Sequence, residues 1–156
     1  MFNKIAAVLL SLVLVSACSN GRFVGFGDAT GAGQVVPGTQ SDLEANIGDR
    51  VFFAFDRSDL SAEAQETLKR QASWLQQYNN ATVTIEGHAD ERGTREYNIG
   101  LGERRANSAK KYLVSLGVSA DRITTVSYGK ERPVIAGATS EEEHTKNRRA
   151  VTVINN

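Results

Sequence analysis

The sequence predicts an α/β fold with a mixed β-sheet and two main helices packed on it, in the order βαβαβ(α)β; if the closing strand runs antiparallel, the description becomes α+β. Three observations carry this. Runs of β-formers recur at 50–55, 82–87, 123–128 and 150–154. Two stretches with apolar residues at three- and four-residue spacing separate the first three runs. Strands that alternate with helices bury their apolar faces by placing the helices on one sheet.

The elements follow in order. Arg50 to Phe55 is dense in β-formers and reads as a buried strand ending at Asp56. Ser61 is a good N-cap, and Glu63 is favourably placed near the positive end of the helix that follows. Ala64, Leu68, Ala72 and Leu75 make 61–79 an amphipathic helix that Asn79-Asn80 closes. Thr82 to Gly87 alternates as a second strand. A polar turn from Asp90 to Gly93 leads to Thr94, the cap of a second helix. Its inward stripe reads Tyr97, Leu101, Ala109, Leu113 and Leu116, with Gly117 as the stop. Ile123 to Tyr128 gives a third strand, a short helix is expected over 141–147, and Ala150 to Ile154 closes the sheet.

Composition limits the function classes. Eighteen basic residues balance eighteen acidic ones, which argues against non-specific nucleic-acid binding, since that needs a cationic surplus. With 40% apolar and 23% charged residues, the chain can build an ordinary globular core.

The N-terminus carries a different signal. Lys4 is followed by an apolar run from Ile5 to Val15, and then by Ser16, Ala17 and the single cysteine, Cys18. The run is too short to span a bilayer, which takes roughly twenty residues, but suits a secretory signal. Small residues directly before the only Cys resemble the lipobox of bacterial lipoproteins, although Val15 stands where that pattern prefers Leu. The resemblance implies a signal peptide over 1–17, cut to leave an acylated Cys18. Ser19, rather than Asp, after it favours outer- over inner-membrane sorting. From Ser19 to about Ser41 the chain is rich in Gly, Ser, Thr and Asn without apolar period, so 18–42 reads as lipidated terminus and flexible linker, and 43–156 as the globular domain. The glycines follow no strand and open no patterned helix, which excludes a phosphate-binding loop.

The stretch from His88 to Ala106 packs a strand end, a turn and a charged helix together. Asp90 lies where the second strand runs out, at the edge where α/β sheets form crevices, and Arg105 lies on the following helix. A carboxylate and a guanidinium fork facing one pocket suit a zwitterion. On residue types alone, the two serve equally well as an internal ion pair. Adjacent helical residues point about 100° apart, so Arg104 cannot share the task of Arg105 and reads as solvated. Arg148-Arg149 reads as a structural cap rather than a contact patch. Trp74 and Tyr78 read as core and rim rather than a sugar platform. His88 and His144 are the only histidines, without a ligand cluster or a nucleophile in context, so no metal, cofactor or catalytic site is expected.

Phe55-Asp56, Gly87 to Gly93, Asn98 with Leu101 and Arg105-Ala106, Val126 to Pro133, and Asn147 to Ala150 together resemble the OmpA-like peptidoglycan-binding domain family, from about Asp49 to Ile154. The resemblance implies a non-catalytic module that recognises diaminopimelate-containing stem peptides of the cell wall, held at the outer membrane and facing the periplasm. It implies that Asp90 faces the ammonium and Arg105 the carboxylate of diaminopimelate. Asn98 would hydrogen-bond peptide or backbone groups, and Arg92 would add a carboxylate contact. Phe55, Asp56 and Leu101 would shape the groove wall. It also implies the periplasmic protein TolB and its envelope system as partners. Arg57, beside Asp56, occupies a variable family position.

Overall fold

The computed structural model describes residues 35–155; the expected signal peptide, Cys18 and most of the expected linker lie outside them. Four strands form one sheet: β1 (Arg50–Phe52), β2 (Thr82–His88), β3 (Ile123–Gly129) and β4 (Arg149–Asn155). Their order is β1-β4-β2-β3. β2 and β3 run parallel, and β4 lies between β1 and β2, antiparallel to both. The sheet is therefore mixed, as its residue pattern predicts.

The packed chain begins ahead of Leu43. A turn of helix, α1 (Gln40–Asp42), runs into a wider π-type turn over Leu43–Ile47. Asp42 is buried and accepts hydrogen bonds from the Gly38 amide (2.9 Å), Asn46 (2.7 Å) and the indole of Trp74 (2.9 Å). These donors hold its carboxyl below the usual range against the opposing effect of burial. Trp74 is thus a core residue with its one polar atom satisfied.

α2 (Ala62–Gln77) starts where Ser61 accepts from the Ala64 amide, and it buries Ala64, Leu68, Ala72 and Leu75. Each fully buried leucine contributes about 1.5–3 kcal/mol. α3 (Arg95–Ser115) is capped by Thr94, which accepts from the Tyr97 amide, and packs over β2 and β3. α4 (Glu141–Asn147) opens with a reciprocal capping box between Ser140 and Glu143.

Two details differ from the residue pattern. β1 stops at Phe52, and its burial alternates rather than being continuous. Phe53 stays buried and its amide bonds to the Arg148 carbonyl (3.0 Å), but Phe55 is 55% exposed and Asp56 turns into the left-handed region (φ 56°). In α3, Tyr97 is exposed rather than inward. The buried face keeps Leu101, Ala109 and Leu113 of the expected stripe and adds Asn98, Gly102, Arg105 and Ala106. Apolar spacing misses Asn98 and Arg105 because they are polar, and Gly102 because it has no side chain. That glycine lets α3 meet β2 directly: a methyl group on Gly87 would stand 1.8 Å from the Gly102 carbonyl oxygen. No described helix is long and apolar enough to cross a membrane.

Candidate ligand-binding cleft

At the C-terminal end of β2, the turn into α3 and the loop after β1 enclose a cleft of ≈ 210 Å³. Asp90, Arg105, Asn98, Arg92, Leu101, Phe55 and Asp56 all line it. Gly93, Tyr97 and Arg148 complete the lining.

Asp90 and Arg105 do not bridge one another, so the internal ion pair left open by residue types is absent. Asp90, 4% exposed, takes Arg92 Nη2 at 2.5 Å and Arg148 Nη1 at 3.2 Å on Oδ2, and the Arg92 amide at 3.2 Å on Oδ1. Burial pushes its carboxyl upward, but these donors outweigh it and hold it below the ordinary carboxylate range. A carboxylate has about four acceptor positions, so one remains on Oδ1 for a further donor.

Arg105 is fully buried (0% exposed), and its cation lies 5.3 Å from the Phe53 ring centre. Its guanidinium donates to three backbone carbonyls: Nε to Arg57 (2.8 Å), Nη1 to His88 (2.8 Å) and Nη2 to Ala54 (3.2 Å). These bonds tie the post-β1 loop to the end of β2. Among the described residues no carboxylate pairs with it. Burial, then repulsion from Arg148, pull its pKa down to about 10, so it stays cationic at neutral pH. With five N–H donors and three in use, one hydrogen on each terminal nitrogen is left.

The rim is held separately. Arg92 reaches from Asp90 to Glu141 (3.1 Å) and lies 4.1 Å from the Phe55 ring centre. Asn98 donates to the Arg92 carbonyl (2.8 Å), and Lys130 donates to the carbonyls of Glu91 (3.1 Å) and Gly93 (2.6 Å), which fixes the turn. The Tyr97 hydroxyl donates to Asp56.

Of the three lining residues that sequence reasoning left out of the site, Arg148 is the charged one. It is buried, donates to the Phe53 carbonyl (2.9 Å), Asp90 and Thr145 (2.7 Å), and pairs with Glu141 (2.8 Å). It is thus both the structural residue expected and part of the cleft floor. The sequence signals for it are the doublet with Arg149 after a predicted helix and its place in the Asn147–Ala150 stretch of the family resemblance. His88 lies just behind, stacked on Tyr128 with ring centres 5.6 Å apart. Glu86 approaches its Nε2 to 3.5 Å, yet burial and then Arg149, Arg132 and Arg50 depress the ring to about pKa 3. The contact is therefore not an ion pair, because His88 is neutral.

Residues 52–148 match the model of the OmpA family. Peptidoglycan-associated lipoproteins are similar over nearly the whole chain. That of Brucella melitensis is 48% identical, covering 98% of this chain and 92% of its own. That of Haemophilus influenzae is 41% identical, covering 96% of each. The crystal structure of the peptidoglycan-associated lipoprotein from Burkholderia pseudomallei superposes with a TM-score of 0.66 at 37% identity, over 69% of this chain and 90% of that one. The C-terminal domain of Helicobacter pylori MotB shares the fold alone, at TM-score 0.60 and 21% identity, over 68% of this chain and 84% of that one. The chain belongs to the OmpA family, among its peptidoglycan-associated lipoproteins. That family is one of binding proteins rather than enzymes.

Proposed function

We propose that this chain is a non-catalytic outer-membrane lipoprotein, anchored through acylated Cys18, that binds diaminopimelate-containing stem peptides of peptidoglycan. It ties the outer membrane to the wall from the periplasmic face. Within the Tol–Pal system, with TolB as partner, it supports envelope integrity and outer-membrane constriction at division. The reading is supported by relatives named for their association with peptidoglycan.

The observation that carries it is the buried, acid-free guanidinium of Arg105 beside the ionised Asp90. Two N–H donors and one carboxylate lone pair are unspent across a small cleft. The free end of diaminopimelate offers the complement: a carboxylate for Arg105, an ammonium for Asp90. Arg92 would add a second contact to the carboxylate. Asn98 would hold the turn, and Phe55, Asp56 and Leu101 would wall the groove. Hydrogen bonds to charged groups contribute about 1.5–3 kcal/mol each, so two such pairs with minor contacts reach about −8 kcal/mol, or micromolar affinity. A repeating polymer raises effective concentration and makes that sufficient.

Pelleting with purified sacculi tests the reading. The wild-type protein should sediment with the wall without releasing soluble fragments, and Asp90→Asn should stay in the supernatant. Retained sedimentation of the variant, or fragment release by the wild type, would overturn it.

A further inference from the structure

Beyond the rim of the cleft, a second and more open depression of ≈ 520 Å³ runs beside α3, lined by Ser58, Arg104, Asn107, Ser108 and Lys111. Tyr97 connects the two. It lines the main cleft, and the Arg104 guanidinium lies 5.7 Å from its ring centre. Arg104 folds back along the helix towards the cleft, its Nη1 within 3.4 Å of where a Cβ on Gly100 would stand.

The charged side chains that line this second depression, Arg104 and Lys111, are of one sign. Among the described residues no carboxylate pairs with Arg104 or Lys111, whereas Arg57, Arg92, Arg95 and Arg148 all have acidic partners. The two cations are seven residues apart, two turns of one helix face and about 10 Å along its axis. We infer that Arg104, with Lys111 beyond it, forms a second anion subsite that receives a carboxylate flanking the diaminopimelate residue of the same stem peptide. This rests on the proposed reading of the main cleft and extends it.

The occupant follows from charge and continuity. A peptide whose dipolar tip enters the main cleft must leave past its rim, where the Tyr97 hydroxyl already occupies the Asp56 carboxylate, and the charged groups lining the depression beyond are both cationic. The stem carries a free α-carboxylate on the γ-linked glutamate next to diaminopimelate. Amidation of that group removes the charge and little else. An exposed charge pair of this kind is worth roughly two- to fivefold in affinity.

The test is calorimetric titration of the full-length protein in detergent with two tripeptides, L-Ala–γ-D-Glu–diaminopimelate and its α-amidated glutamate form. The wild type should prefer the free carboxylate two- to fivefold, and added salt should shrink the preference. Arg104→Gln should bind both peptides at the weaker affinity, with an unchanged melting temperature. Lys111→Gln should reduce the preference only in part. An equal amide-to-acid ratio in wild type and Arg104→Gln would overturn the subsite while leaving the main cleft standing. Failure of both peptides to bind the wild type would overturn the main-cleft reading and the subsite with it.

Discussion

Replacing Arg105 by alanine tests whether this residue braces the cleft as well as facing it. The side chain is fully buried and supplies three hydrogen bonds to the carbonyls of Arg57, His88 and Ala54. A charge-assisted hydrogen bond contributes about 1.5 kcal/mol at the low end of its range. Three give about 4.5 kcal/mol, and relief of the desolvated charge returns part of it. The net expectation is a loss of about 4 kcal/mol, because the carbonyls at the end of β2 and in the post-β1 loop lose partners that water reaches poorly. With an unfolding entropy of about 2.1 cal/mol/K per residue, a domain of roughly 120 residues should then melt about 16 °C lower. Arg105→Lys keeps the charge but cannot span three carbonyls, and should lose about half as much. Thermal denaturation followed by circular dichroism reads both. A melting point for Arg105→Ala within 4 °C of wild type would refute the bracing role and return Arg105 to ligand contact alone.

Other consequences follow from the same geometry. Gly87→Ala should cost about 3 kcal/mol or more, because the new methyl meets the Gly102 backbone rather than a movable side chain; a wild-type denaturation midpoint in urea would contradict the close α3–β2 contact. His88 has its pKa depressed from 6.5 to about 3 in the folded state, so on acidification the unfolded chain takes up the proton first. Its contribution to stability is complete above about pH 6.5 and is lost as pH falls towards 3, at up to about 1.4 kcal/mol per pH unit. His88→Phe should flatten the stability profile between pH 6.5 and 4.5, above the range where Asp90 begins to protonate; an unchanged slope would show that the imidazole is not held neutral. Glu143→Ala removes one side of the α4 capping box and should cost about 1 kcal/mol, measured as a shift in the same urea midpoint.

The elements whose apolar period matches their geometry were legible from residues alone. α2 is the clearest case, since Ser61, Leu68, Ala72 and Leu75 each do what their spacing and type require. The end of β1 was not legible. Phe53, Ala54 and Phe55 continue the apolar run of Val51 and Phe52 without a break, but the backbone must leave the sheet there to carry Phe55 and Asp56 to the cleft lip. Leu101, Ala109 and Leu113 of α3 face inward as their spacing requires, but the polar part of that face was hidden: Asn98 and Arg105 are buried because backbone carbonyls satisfy them, which hydrophobic spacing cannot reveal. The seven residues singled out for a common site line one cleft. Their pairing within it was not foreseeable. Asp90 is held by Arg148, 58 positions away in the chain, and only the antiparallel insertion of β4 beside β2 brings the two together.

That pairing separates the two charges at the centre of the account. Asp90 has its own cations and Arg105 has carbonyls, so neither neutralises the other, and each keeps capacity for a ligand of the opposite sign. Titrating the full-length protein with a stem tripeptide carrying diaminopimelate, and with the same peptide carrying lysine, isolates that claim, because lysine retains the ammonium and lacks the second carboxylate. The lysine peptide should bind at least tenfold more weakly, matching the loss of about 1.4 kcal/mol or more expected for one charged hydrogen-bonded contact. Equal affinity for the two peptides would contradict it.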